Sequence, residues 1–193
     1  MDIVAPSSAD EMTSIWLRAD LDSSESKSTT VQEALSTRGV GEEVLYPARD
    51  DEADSVGSPT LRQSILTSCH GATVRGLRLE EIEWSWAELQ DDDPLSLMNY
   101  CDFHAWTHGS LLPSDAIEGF ARNRPLDAIT ARIASGDPLP PCICVATNVS
   151  GPAVLLDGNG RAIAFAALGR RPKRIVLGLS PGVTNWYFYP FKQ

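Results

Sequence analysis

An α+β fold, a small mixed sheet with packed helices behind an acidic N-terminal arm, is what this chain of 193 residues predicts. Three observations carry the prediction. From Pro125 onward, apolar residues at helical spacing alternate with short strand-like apolar runs. The stretch Ala153-Val-Leu-Leu-Asp157-Gly158-Asn159-Gly160-Arg161 passes from an apolar run through two glycines into an alanine-rich helical pattern. Residues 1–57, by contrast, are rich in Ser, Asp, Glu and Thr, with few apolar patches. These shifts place an acidic, Ser-rich arm at 1–57 and one α+β domain at 58–193.

The elements follow in chain order. Within the arm, 23–30 is polar enough for a loop or disorder, and 30–35 fits one or two helical turns. Ser58-Pro59 supplies a helix start, with Pro at the first helical position and Leu61, Ile65 and Leu66 as an apolar stripe. A strand is expected at 74–83, with Leu77 and Leu79 on one face, and the Asp91-Asp-Asp-Pro94 run closes the element. Leu95, Met98, Phe103 and Trp106 suggest a helix or turns over 95–107, and Pro113-Ser-Asp opens another over 116–121. Leu126, Ile129 and Ile133 then form a helix that Gly136 stops. Pro140-Pro141 leads into a strand at 142–147, whose partner is expected at 153–156. A helix over 161–168 ends at Gly169, and a last strand covers 174–179. The tail Trp186-Tyr-Phe-Tyr-Pro-Phe191 is aromatic enough to pack on the core.

Charge narrows the partners. The net charge is −10, yet residues 1–120 hold 7 Lys and Arg against 23 Asp and Glu, while 121–193 hold 9 against 3. The acidic excess opposes binding to duplex DNA, whose affinity rests on neutralised phosphates, so a small anionic ligand fits better. No apolar run approaches the roughly 20 residues of a membrane helix, and the first ten residues lack the pattern of a secretion signal. A soluble cytoplasmic protein is the expectation, with the acidic arm available for a protein partner or a dimer contact. Cys69, Cys101, Cys142 and Cys144 show no CxxC spacing, and Cys142 and Cys144 alternate toward one face, as core residues do. Cys101, His104 and His108, with Cys69 or His70, could gather around zinc, but packed aromatic neighbours explain that segment better, and no metal site is assigned.

The candidate chemistry lies at the glycine turn. A strand that ends in glycines and opens a helix aims backbone N–H groups and a positive dipole end at one point, which suits an anion. Gly158, Asn159 and Gly160 would supply the amides, and Arg161 a planar fork of donors matched to phosphate. Arg170, Arg171, Lys173 and Arg174 follow closely and could focus a field on such a ligand. An ordinary strand-turn-helix connection with a solvated basic face explains the same residues. Of the acids Glu80, Glu81 and Glu83, Glu81 and Glu83 are candidates for a general base if their strand lies beside the central pair; otherwise they edge a polar strand. Trp84 and Trp86 either wall a cleft or belong to the core.

The order from Pro125 to Leu179 resembles the fold shared by the partition-protein ParB amino-terminal domain and sulfiredoxin. Gly136-Asp-Pro-Leu-Pro-Pro141-Cys-Ile-Cys-Val resembles the entry to their central strand, and Asp157-Gly-Asn-Gly-Arg161 resembles their phosphate motif. The resemblance implies that Gly158 and Arg161 contact the phosphates of a nucleotide such as ATP, ADP or CTP. Asn159 and Gly160 stand where sulfiredoxin has a cysteine and a histidine, so that chemistry is disfavoured. Ala162 and Ile163 stand where partition proteins carry arginine, and no helix-turn-helix follows, which disfavours DNA partition. The layout is closer to single-domain members that resemble free serine kinase, whose motif reads Asp-Gly-x-His-Arg; here Gly160 replaces the histidine. That resemblance implies phosphoryl transfer from a nucleotide to a small polar acceptor or to water. Asp157 would then act catalytically, by holding Mg²⁺ or orienting a hydroxyl, or would instead cap the turn. Alternatives are a nucleotide-sensing module without turnover, and a tailoring enzyme that holds a phosphorylated substrate.

Overall fold

The computed structural model describes residues 1–23, 25–47, 57–96 and 126–191. The chain forms two compact units, Ser8–Arg75 and Met1–Ser7 with Gly76–Gln193, so the division falls after the helix that starts at Pro59 and not at residue 57.

The unit Ser8–Arg75 is helical. Helix α1 (Ala9–Leu21) starts at Ser8, whose hydroxyl accepts the Glu11 N–H at 3.0 Å, and Asp10 and Glu11 complement the dipole of its first turn. Helix α2 (Glu25–Thr37) occupies the stretch expected as a loop at 23–30. Polarity alone pointed to a loop, but Val31, Ala34 and Leu35 lie on one buried face, and that burial outweighs weak propensity. A 3-10 turn (Glu42–Leu45) buries Val44 and Leu45. Helix α3 (Pro59–Val74) begins as expected, with Pro59 in its first turn and the Ser58 hydroxyl accepting the Leu61 N–H at 3.2 Å. Arg62 is 2% exposed and fully engaged: Nε and Nη2 clamp Asp10 at 2.6 Å each, while Nη1 donates to the carbonyls of Val44, Tyr46 and Gly57. One guanidinium thereby fastens the 3-10 segment between two helices.

The other unit is a mixed α+β sheet domain. Its strands are β1 (Asp2–Pro6), β2 (Glu83–Glu88), β3 (Leu95–Ser96), β4 (Cys142–Ala146), β5 (Ala153–Asp157) and β6 (Arg174–Leu179). They are ordered β1-β2-β6-β4-β5-β3. β4 and β6 run parallel, the β4–β5 and β2–β6 pairs are antiparallel, and the connection from β5 to β6 crosses β4 through helix α5 (Asn159–Ala167). Helix α4 (Asp127–Ser135) precedes β4 and ends at Gly136, whose φ of 80° lets its N–H return to the last-turn carbonyls.

Two expectations shift. The strand expected at 74–83 is β2 at Glu83–Glu88, because Gly76 turns at φ 87° and Leu79–Glu81 coils into a 3-10 turn. Where a helix was expected from residue 95, Leu95 and Ser96 pair with β5 in parallel; residues 97–107 and the helix expected at 116–121 lie outside the described residues. The strands expected at 142–147, 153–156 and 174–179 form as Cys142–Ala146, Ala153–Asp157 and Arg174–Leu179, and the helix expected at 161–168 starts two residues earlier, at Asn159, so that Gly160 lies inside it.

Side chains of period two sort the sheet into faces. Cys142, Cys144, Ala153, Leu155, Ile175, Leu177 and Ala87 form one buried cluster with Ala162 and Ile163 of α5. In the aromatic tail, Trp186 and Tyr189 are buried and Tyr187 is 58% exposed. Among the described residues, no helix is long and apolar enough to cross a membrane.

Candidate functional site at the N-terminus of helix α5

β5 is buried along its whole length and delivers Asp157 to one end of the sheet. The next residue reverses the chain: Gly158 has φ 91°, a conformation that disfavours any side chain. A Cβ there would stand 2.8 Å from Cys142 Sγ and 2.9 Å from Arg161 Nη2, so glycine is also the residue that fits. The first intrahelical bond of α5 runs from the Ala162 N–H to the Gly158 carbonyl at 2.9 Å, and Gly158, at the cap position, makes no side-chain cap bond. The amides of Asn159, Gly160 and Arg161 therefore precede the intrahelical ladder at the positive end of the helix.

Arg161 does not reach into solvent. Its Nη2 donates to Asp157 Oδ2 at 2.7 Å and to the Pro141 carbonyl at 3.2 Å, and its side chain is 12% exposed. Nε is buried without a hydrogen-bond acceptor. Burial works against the Arg161 charge, but Asp157 and Cys142 beside it together outweigh burial and hold the guanidinium above its ordinary range. Cys142, under the turn, donates to the Gly158 carbonyl at 3.6 Å; burial pushes its thiol up, and Arg161 pulls it partly back.

Asp157, Gly158, Asn159, Gly160 and Arg161 thus come together. Glu81 and Glu83 do not join them. Glu83 pairs with Leu179, and Leu179 aligns with Ala146, whereas Asp157 pairs with Ile143. The register separates Glu83 from Asp157 by about 10 Å along the strands and about 14 Å across three strand spacings. Glu81 is exposed and accepts from Arg78 at 2.9 Å. Their assignment as general bases beside Asp157 is corrected accordingly: antiparallel pairing of β2 with β6 turns the acidic start of β2 toward the opposite end.

The basic residues after α5 also disperse. Arg171 donates to the carbonyls of Asp91 and Asp93, and Arg170 to that of Ile133. Arg174 lies over the Trp86 ring at 4.5 Å, on the face opposite α5. The residues present do not fit a Mg²⁺ held by the protein. The Asp157 carboxylate already faces a guanidinium, and among the described residues no three His, Cys, Asp or Glu side chains gather. Of the residues weighed for zinc, Cys101, His104 and His108 lie outside the described residues, and His70 Nε2 meets the buried Asp20 carboxylate at 2.5 Å. That carboxylate also accepts from Lys27 at 2.9 Å, and the His70 ring packs on Trp16. Nothing in the sequence signals this pair, because its members are 50 positions apart.

No family model, curated protein or solved structure matches this chain.

Proposed function

We propose that this chain binds a nucleotide by its phosphates at the start of α5, as the likeness to the ParB and sulfiredoxin fold implies, and moves a phosphoryl group to a small polar acceptor or to water. One observation supports the binding part: the first amides of α5, where the cap residue is Gly158, stand beside the largely buried Arg161, whose Nε has no acceptor. A phosphate oxygen answers both deficits, since it accepts from the turn amides and from the guanidinium edge. An anion at such a position gains about 0.3–1 kcal/mol from the helix dipole alone.

Binding without turnover is the second reading, and the placement of the acids favours it. Asp157 is neutralised by Arg161, while Glu81 and Glu83 belong to the other end of the sheet. Isothermal titration of the full chain with ATP, ADP and CTP, with and without Mg²⁺, tests the binding. Saturable heat that Arg161→Ala abolishes supports it; absence of heat with all three removes it. Product analysis then separates the readings: released phosphate or a phosphorylated acceptor establishes transfer, and unchanged nucleotide establishes sensing.

A further inference from the structure

Helix α3 is not continuous. Its run from Pro59 to Val74 breaks at His70, where φ −127° and ψ 20° leave the helical region, and a glycine, Gly71, follows at once. The two parts are fastened unequally. Before the break, Arg62, Ile65 and Leu66 are at most 2% exposed; beyond it Ala72 is exposed, Gly71 and Thr73 are half-buried, and Val74 is the buried side chain. A segment with so little buried apolar surface opens at a lower free-energy cost than the helix body. Gly71 lowers that cost further, because glycine is the least favourable helical residue after proline. A polar contact holds the break itself: His70 Nε2 meets Asp20 Oδ2 at 2.5 Å, and the other oxygen of this buried α1 carboxylate accepts from Lys27 of α2 at 2.9 Å. Trp16, one turn before Asp20, lays its ring 4.7 Å from the imidazole.

We infer that Gly71–Val74 is a hinged segment that opens and closes apart from the body of α3, and that the contact between His70 and Asp20 is the latch that keeps it shut. Both ends of the segment allow this motion. The backbone has already left the helix at His70, and beyond Val74 it turns at Gly76, where φ is 87°. Opening carries the imidazole off Asp20 and leaves the carboxylate to Lys27, while Arg62, Ile65 and Leu66 hold the helix body in place. A hydrogen bond to an ionised carboxylate is of the strong kind, so this one contact decides how often the segment opens.

Amide hydrogen exchange of the full chain, resolved by residue, tests this through protection factors. In the native chain the amides of Gly71–Val74 should be protected about tenfold less than those of Ile65–Thr67. His70→Ala should lower protection over Gly71–Val74 by a further factor of about ten, the loss of one charge-assisted hydrogen bond, and leave Ile65–Thr67 unchanged. Gly71→Ala stiffens the hinge. Its added Cβ would stand 3.9 Å from Thr67 Cγ2, an ordinary contact, and protection of the same amides should rise about fourfold. Equal protection on both sides of His70, moving together in both variants, would mean one cooperative helix and would overturn the inference. So would a His70→Ala chain that loses protection equally in both parts or keeps it in both. If His70→Ala does not fold, the native comparison and Gly71→Ala carry the test: a rise confined to Gly71–Val74 supports the hinge, and unchanged protection there overturns it.

Discussion

Arg161 closes back on Asp157, one helical turn before it, with 2.7 Å between Nη2 and Oδ2 and both side chains largely buried. The pair neutralises itself in place, so an anion placed there would meet only the α5 amides and the guanidinium edge that Asp157 leaves unused. Removal of one partner strands the other charge in a poorly solvated site.

Asp157→Ala and Arg161→Ala should each cost about 3–5 kcal/mol in urea unfolding. The double variant should cost less than their sum, with a coupling of about 0.5–3 kcal/mol. Ligand affinity separates the two residues: Asp157→Asn should strengthen nucleotide binding by removing a repelling carboxylate, and Arg161→Ala should weaken it at least tenfold. If Asp157→Asn instead weakens binding, the carboxylate contacts the ligand.

Gly158→Ala should destabilise by roughly 1–3 kcal/mol from backbone strain at φ 91°, and by more from the close approach to Cys142. Thermal unfolding measures the cost, and titration should show nucleotide binding lost while circular dichroism stays native.

Glu81→Gln and Glu83→Gln should leave nucleotide binding and any turnover unchanged within about twofold, since β2 presents its start at the far end of the sheet. A hundredfold loss of turnover in either variant would show that the acids reach the reacting centre.

Stability should fall as the pH rises past about 9. Burial raises the thiols of Cys142 and Cys144 above their unfolded value near 8.5, with Cys144 pushed further by its neighbour Cys142. A group raised on folding contributes fully below its unfolded pKa, and that contribution disappears as the pH climbs through the folded pKa. Urea midpoints between about pH 7.5 and 10 should therefore decline in the native chain and decline less in Cys144→Val.

Arg62→Met should cost about 3–5 kcal/mol, because it leaves Asp10 without its cation and three carbonyls without a donor. Hydrogen exchange should show faster opening of the Glu42–Leu45 turn. Unchanged protection there would mean that packing of Val44 and Leu45 holds the segment by itself.

Local structure was legible in the sequence. Helix α4 with its Gly136 stop, the β4 and β5 pair, and the glycine turn into α5 each rest on spacing and on residues with restricted or permissive backbones, which act over a few positions. Register and direction were not readable, because they depend on which strand lies beside which. The antiparallel pairing of β2 with β6 sent Glu83 away from Asp157, the fold of α5 over β4 set Arg161 against Asp157 and Cys142, and burial of Val31 and Leu35 made a helix of a polar stretch. Sequence alone thus determined that a glycine-opened helix follows a buried strand. Only the tertiary structure decided which charges meet there, since the free energy of a buried ion pair depends on its surroundings in space and not on its neighbours along the chain.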